Sequence, residues 1–156
     1  MRYYFAGAYA RRAELDRYAG WLLTEVPGAL VTSRWLTQNI SDEDAGYSAD
    51  GLIDKADIER AWECGQTDLE DLSESDAIVS FTGEGGRGGR HIEHGVAISY
   101  YDNHPWDLSK RTAPMRLIVI GLREHVSHCH PATEQFDSWE TFLTHEIKHH
   151  REETTG

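Results

Sequence analysis

Two carboxylates, Asp68 and Glu93, flank the stretch of the sequence that is best suited to chemistry. Between them lie an apolar run, Ala77–Phe81, and a glycine-rich segment, Thr82–Gly89, which holds five of the fourteen glycines. Cleavage of a glycosidic bond uses such a pair, because one carboxylate can attack the sugar while the other exchanges a proton with the leaving group. Simpler interpretations stay open: Asp68 lies in a solvated acidic run, and the helix dipole favours a carboxylate such as Glu93 in a first helical turn.

The glycine-rich segment indicates a binding site at the end of a strand. A helix is predicted to start near Arg90, so the segment joins the carboxyl end of an apolar strand to a helix N-terminus, where ligands of parallel sheets bind. Glycines there permit close backbone approach, and free N–H groups attract a sugar hydroxyl or a phosphate. The segment is neither a GxGxxG motif after the first strand nor a P-loop, because it lacks Gly-Lys-Ser/Thr.

Alternating strand and helix patterns would position these residues. Apolar or β-prone runs predict strands over 2–7, 29–33, 77–81 and 115–121, with a short edge strand beginning at Phe136. Apolar residues at helical spacing predict helices over 10–25, 48–72 and 90–101, and a last helix capped by Ser138 whose tail, 149–156, is frayed. Three segments are predicted to be loops: 35–47, either a lid or a mobile surface loop, 101–114 and 122–135. This order predicts an α/β, three-layer, flavodoxin-like or Rossmann-like domain with a mostly parallel five-stranded sheet, occupying 1–156 as a single domain.

The composition of the chain limits the kinds of partner that the protein is expected to bind. The net charge of -12 argues against binding of a nucleic-acid polymer, although a single nucleotide needs only local arginines and backbone amides. No apolar run approaches the ~20 residues of a membrane helix, and the N-terminus has no signal-peptide pattern, so we expect no membrane partner. The two cysteines, Cys64 and Cys129, form no disulfide framework, which predicts a reducing, cytoplasmic location.

Several motifs resemble the nucleoside 2-deoxyribosyltransferase superfamily, which also includes N-glycosidases of deoxynucleoside monophosphates. These motifs are YFAG near the start, TDLEDLSESDAIVSF, GGRHIEHG, LIVIG and FDSWETF, and together they span roughly residues 3–142. The most specific element is the aspartate before the third strand, coupled to a glycine-preceded glutamate that opens the next helix. The resemblance implies an enzyme that assembles into a dimer or larger homo-oligomer, and we expect it to need no cofactor and no metal ion.

The resemblance also implies roles for individual residues. Glu93 would attack the anomeric carbon and hold a covalent 2-deoxyribosyl intermediate, while Asp68 would handle the proton of the leaving base. Tyr4 would hold or orient the glutamate or the sugar. Gly7 would form the turn under the sugar, and the remaining candidates for substrate binding are Tyr9, Arg11, Gly88, Gly89, Arg90 and His125.

Three functions stay open on the sequence. The first is transfer of 2-deoxyribose from a nucleoside to a free base, the second is hydrolysis of a deoxynucleoside 5′-monophosphate, and the third is nucleotide binding without catalysis. The nucleotide hydrolases of the superfamily place serines around the 5′-phosphate, whereas here the first loop reads AYARR and the glycine segment has no serine. The missing serines favour an unphosphorylated nucleoside.

Histidines crowd the last third of the chain, in HVSHCH (125–130) and in the final helix. Their spacing matches no common zinc pattern and includes neither CxxC nor HExxH, so we predict no metal site. His91, two residues before Glu93, is predicted to be exposed, and the alternative is a role in orienting the loop. The tryptophans Trp62, Trp106 and Trp139 are predicted to pack in the core and not to stack on a base.

Overall fold

A computed structural model of the chain describes residues 1–37, 58–83, 89–102 and 113–155. Within these residues, five strands form one sheet in the order β2-β1-β3-β4-β5, and each neighbouring pair is parallel. This confirms the predicted three-layer α/β fold. The strands are β1 (Arg2–Ala6), β2 (Leu30–Val31), β3 (Ala77–Phe81), β4 (Arg116–Ile120) and β5 (Thr133–Phe136).

Helices cover both faces of the sheet. The helices of the described ranges are α1 (Arg12–Glu25), α2 (Ile58–Ser73), α3 (Gly89–Asp102) and α4 (Trp139–Thr155). One apolar cluster joins α1 and α4 to the sheet, and a second joins α2 and α3 to its other face. No helix in the described part of the chain is long and apolar enough to cross a membrane.

Strand β1 shows how the sequence assigns side chains to the two layers. Successive side chains of a strand point to opposite faces. Tyr3 and Phe5 therefore pack in the cluster with α1 and α4, while Tyr4 and Ala6 pack in the cluster with α2 and α3. The aromatic ring of Tyr4 is fully buried and directed towards the layer that contains α3.

The strand order creates a crevice between β1 and β3. The chain runs from β1 outwards to β2 and then returns to β3 on the other side of β1. Loops leaving β1 and β3 at their carboxyl ends therefore diverge, and this is the position at which parallel α/β sheets bind ligands. In this chain the loops that start at Gly7 and Thr82 leave the sheet there.

Several predicted boundaries need correction. Strand β2 covers only two residues, and β5 begins at Thr133 and not at Phe136. The sequence of β5, TEQF, has no apolar run because only its first residue is fully buried in this edge strand. Helix α4 continues to Thr155, so its tail is not frayed, and the predicted N-cap is confirmed by a bond of 3.3 Å from Thr141 N–H to Ser138 Oγ. The predictions for 38–57 and 103–112 lie outside the described residues.

Glu146 of α4 is expected to stabilise the fold strongly. It accepts hydrogen bonds from Tyr3 Oη and from both terminal nitrogens of Arg116, at 3.0 and 2.9 Å for the latter, and its side chain is only 3% exposed. Glu146→Ala would remove a buried carboxylate together with its bonds to the Tyr3 hydroxyl and to Arg116, so we expect a loss of about 3 kcal/mol in the free energy of unfolding. Urea unfolding measures this loss. Glu134→Ala, which removes a more exposed partner of the same arginine, should cost less than about 1 kcal/mol; equal losses would contradict the role of burial.

Candidate active site

Tyr4 and Glu93 are joined directly across the crevice. The Tyr4 hydroxyl donates a hydrogen bond of 2.8 Å to Glu93 Oε1. Because α3 begins at Gly89, its first turn contains no acidic residue and Glu93 lies in the second turn, which corrects the predicted first-turn position. The helix dipole acts mainly within the first turn, so it does not account for a carboxylate at this place.

Asp68 completes a group of three residues from three different elements. It lies on α2, is partly buried, and its charge acts on both Glu93 and Tyr4. Helices α2 and α3 pack side by side on the face to which Tyr4 points. The structure therefore brings together Tyr4, Asp68 and Glu93, the three residues that were predicted to be catalytic.

The two carboxyl groups hold their protons unusually tightly. Burial, together with the nearby charge of Asp68, raises the pKa of Glu93 to about 8, although the hydrogen bond from Tyr4 acts in the opposite direction. Burial and the charge of Asp71 raise the pKa of Asp68 to about 6, against a smaller effect of Arg34. Interacting carboxyl groups titrate as a pair, so between these two values the pair carries one proton.

Arg34 and Asp71 set the position of α2 and were not identified from the sequence. Arg34 donates from its backbone N–H and from Nε to Asp71, at 2.8 and 2.6 Å, and Asp71 is buried. This bond ties the 3₁₀ turn Arg34–Leu36 to the helix that carries Asp68. The only sequence signal was the spacing of Asp71 three residues after Asp68, which places both carboxylates on adjoining parts of one helix face.

The first loop contains Gly7, Tyr9 and Arg11. A Cβ atom on Gly7 would lie 2.5 Å from Leu15 Cδ1, so a larger residue there would force the end of the buried Leu15 side chain to shift. Tyr9 lies in the 3₁₀ turn Tyr9–Arg11, with its ring 6.3 Å from the ring of Trp35. Arg11 pairs with Glu14 at 2.7 Å and donates to the carbonyl of Thr82 at 2.9 Å, so it links this loop to the end of β3.

The start of the glycine-rich segment is fastened by Glu124, another residue missed in the sequence. Gly83 has a φ of +114°, a conformation that favours glycine, and its N–H donates to Glu124 at 2.6 Å. Arg90, 8% exposed, donates to the Gly83 carbonyl at 3.1 Å and to Glu124 at 2.7 Å. Gly88 lies outside the described residues. Gly89 begins α3, and within the described part of the chain no neighbouring atom would lie within 4 Å of a Cβ added there. The position of Glu124 after β4, at the same sheet edge, was the available signal.

The predictions for the individual histidines and tryptophans are confirmed at some positions and wrong at others. His125 is exposed and stacks on His91 with ring centroids 4.7 Å apart. His91 is partly buried against His128, so its predicted exposure was wrong. Trp139 is buried as predicted, Trp62 is 63% exposed in contradiction to the prediction, and Trp106 lies outside the described residues. Among the described residues, no three His, Cys, Asp or Glu side chains are arranged to hold a metal ion.

No protein-family model, curated protein or solved structure matches this chain. The function is therefore inferred from the residues of the site and their geometry.

Removal of the Tyr4 hydroxyl should change the acidity of Glu93. The hydroxyl donates to the ionised carboxylate and so lowers its pKa. In Tyr4→Phe we expect the pKa of Glu93 to rise above its wild-type value, measured by NMR titration of carboxyl-labelled glutamate. Tyr18→Phe removes a hydroxyl that donates to Glu14 on the other face of the sheet, and it should leave Glu93 unchanged. An unchanged Glu93 titration in Tyr4→Phe would contradict this role of the hydroxyl.

Proposed function

We propose that this protein cleaves the N-glycosidic bond of a 2′-deoxynucleoside and passes the sugar to another base, as nucleoside 2-deoxyribosyltransferases do. The observation that carries the proposal is the hydrogen bond from Tyr4 to Glu93 at the β1–β3 crevice, beside the second carboxylate, Asp68. A carboxylate held by a neutral donor, next to a second carboxyl group that can carry a proton, provides the two groups that a retaining displacement uses.

Glu93 acts as the nucleophile in the first step. Its carboxylate attacks the anomeric carbon, the bond from that carbon to the base breaks, and a glycosyl ester of Glu93 forms. The departing base takes the bonding electron pair and receives a proton from Asp68. In the second step a free base attacks the anomeric carbon, the ester bond breaks, and Glu93 leaves as a carboxylate while Asp68 accepts the proton of the incoming base.

The carboxyl pair of Asp68 and Glu93 can supply the one proton that these two reaction steps exchange with the bases. Near pH 7 the pair carries one proton, because the pKa values of its members are raised to about 6 and about 8. Positive charge developing on the sugar favours an ionised Glu93, and the Tyr4 hydroxyl stabilises the same form. Before substrate binds, Glu93 holds this proton, because its pKa of about 8 exceeds the value of about 6 for Asp68. The reaction therefore requires the proton to pass to Asp68 when the sugar approaches, and the leaving base takes it from there.

Two arginines near the crevice, Arg11 and Arg90, favour a nucleoside over its monophosphate. Arg11 pairs with Glu14 and Arg90 with Glu124, so each positive charge is already opposed by a carboxylate. A phosphate at either position would have to displace that carboxylate. This agrees with the missing serines of the two loops.

Chromatography of the products tests the proposal. The protein is incubated with each deoxynucleoside and each deoxynucleoside monophosphate, with and without a second free base. A new nucleoside that forms only in the presence of the acceptor base is the expected result. Release of base from a monophosphate without an acceptor would favour hydrolysis, and binding without turnover of any substrate would favour a non-catalytic module.

We further propose that the protein is a homo-oligomer, located in the cytoplasm, in which α2 contributes to the interface. The outer side of α2 exposes Ile58, Trp62 and Leu69, which are 56%, 63% and 40% exposed. Their spacing of four and seven residues places them on one stripe of the helix, on the element that carries Asp68. An apolar stripe of this kind is typical of an interaction surface.

Trp62→Glu should therefore dissociate the oligomer. A charge in the centre of the stripe would be desolvated at no gain in the assembled form. Light scattering on a size-exclusion column should give the mass of the oligomer for the wild type and of one chain for the variant. Trp21→Glu, at an exposed tryptophan of α1, is the matched control and should keep the wild-type mass. A monomeric wild type would contradict the assembly itself.

A further inference from the structure

Four histidines from two parts of the chain meet where α3 packs against the segment that follows β4. We define the histidine cluster as His91 and His94 of α3 together with His125 and His128 of the segment that follows β4. The ring centroids lie 5.0 Å apart for His94 and His128, 5.0 Å for His91 and His128, and 4.7 Å for His91 and His125. His128 belongs to the 3₁₀ turn Val126–Cys129, which packs against α3, and His125 caps this turn.

The cluster runs from the interior of the protein to its surface. At the inner end, His94 Nδ1 lies 2.9 Å from Ser80 Oγ of β3, and both His94 and His128 are 0% exposed. At the outer end, His125 is exposed, and its Nδ1 accepts a bond of 3.2 Å from the backbone N–H of Ser127. Protons from solvent therefore reach the inner rings only if the segment moves or the outer rings transfer them.

The hydrogen bond between His91 and His128 requires at least one of the two rings to be neutral. His91 Nδ1 and His128 Nε2 face each other at 3.3 Å, and a bond between them needs a lone pair on one of the two nitrogens. Two protonated rings would place two N–H groups against each other. Protonation of His125 at Nδ1 likewise converts the acceptor of the Ser127 N–H into a donor and removes the cap of the 3₁₀ turn.

The surroundings also disfavour positive charge. Positive charge on Arg90 of α3 and on His130 of the segment would repel protonated rings in the cluster. Among the described carboxylates, Glu124 is the one that raises the pKa of His91 and His128. Asp102 instead pairs with His130, at 3.4 Å. Glu124 is already bound to Gly83 N–H and Arg90. Burial, followed by the neighbouring histidines, lowers the pKa of His94 to about 3 and that of His128 to about 4, and it lowers the pKa of His91 as well.

We propose that the histidine cluster is an acid-sensitive latch, which holds the segment 122–130 on α3 while its rings are neutral and releases the segment when they take up protons. The proposal does not depend on the enzymatic function. It follows from four imidazole rings that pack against one another across two separate parts of the chain, where positive charge on neighbouring rings would repel and would break the bond between His91 and His128.

Release would extend to the crevice. Glu124 belongs to the same segment, and it fixes the Gly83 N–H and the Arg90 side chain at the start of the glycine-rich segment. Loss of the latch would therefore weaken these two bonds without breaking the sheet. When the segment is released, the histidines regain their ordinary pKa of about 6.5, which is higher than the pKa of His91, His94 and His128 in the closed cluster. Proton uptake therefore favours release. Closure is thus fully favoured above about pH 6.5 and is lost as the pH falls towards 4.

Amide hydrogen exchange tests the latch. Exchange is measured at about pH 7.5 and about pH 5. The rates are compared as protection factors, because these correct for the intrinsic pH dependence of exchange. We expect the amides of His128 and Gly83 to lose at least about tenfold in protection at the lower pH, the amount that uptake of a single proton allows over this range. The amides of β1 and β3 should change by less than about threefold, because the latch opens locally.

Two variants separate the latch from general acid sensitivity. His91→Gln removes one of the rings that take up a proton on release and keeps a group that can bond to His128, so the loss of protection at His128 should be smaller than in the wild type. His125→Asn keeps an acceptor for the Ser127 N–H at every pH and serves as a second variant at an exposed position. His149→Gln, at an exposed histidine of α4, is the matched control and should behave as the wild type. Constant protection at His128 in the wild type, equal loss in β1 and β3, or a wild-type response of both cluster variants would overturn the proposal.

Discussion

Glu93→Gln is expected to abolish turnover of deoxynucleosides, with kcat lowered by at least about 10³-fold. The glutamine is nearly isosteric, and its side-chain oxygen can still accept the hydrogen bond from Tyr4, so the crevice keeps its shape. An amide cannot form the glycosyl ester, and the two-step displacement is lost. Steady-state kinetics with a free acceptor base measure the effect. Glu63→Gln, at an exposed position of α2, is the matched control and should retain wild-type kcat.

The same variant should be more stable than the wild type at alkaline pH. The pKa of Glu93 is raised to about 8 in the folded chain, above the value of about 4.5 in the unfolded chain. The folded state therefore keeps a proton that the unfolded state releases, and stability is lost as the pH rises through this interval. Glutamine does not titrate, so its advantage in Tm should grow from about pH 5 to about pH 8 and then level off. A kcat within tenfold of the wild type would exclude Glu93 as nucleophile, whereas equal Tm values at all pH would contradict only its raised pKa.

The strands and the layer order were predictable because they depend on local pattern. Ala77–Phe81 and Arg116–Ile120 are continuous apolar runs, as strands covered on both faces must be. The pattern failed at β5, whose edge position leaves Gln135 exposed, and at Trp62, where an apolar residue on an amphipathic helix points outwards. Hydrophobic spacing identifies a helix face, but it does not say whether that face is covered by the same chain.

The site could be predicted only in part. The alternation of β1 places Tyr4 on one face of the sheet, and the resemblance selected Glu93 and Asp68, but the bond between Tyr4 and Glu93 depends on where α3 starts. The pairing of Arg90 with Glu124 and the contact between His91 and His128 join residues more than thirty positions apart. Nothing in the local sequence specifies such contacts, because they arise from the packing of α3 against the loop after β4.

Asp68→Asn should lower kcat by about 10²–10⁴-fold for bases that need a proton to leave. The effect should be much smaller for a nucleoside whose base is a good leaving group without protonation, because Asp68 then has little to contribute. Comparison of two such substrates therefore distinguishes proton transfer from a structural defect, which would slow both equally. Glu70→Gln, an exposed neighbour on α2 that pairs with Arg34, is the matched control and should leave both rates unchanged.

The pH dependence of the same variant gives an independent test of the carboxyl pair. In the wild type, kcat/KM should follow a bell with limbs near the pKa values of about 6 and about 8, since the active form of the pair carries one proton. In Asp68→Asn the limb that belongs to the second carboxyl group disappears. The charge that raises the pKa of Glu93 is also removed, so the remaining limb should rise with pH and lie below pH 8. A bell that survives unchanged would assign the acid to another residue and leave Asp68 as a group that only positions Glu93.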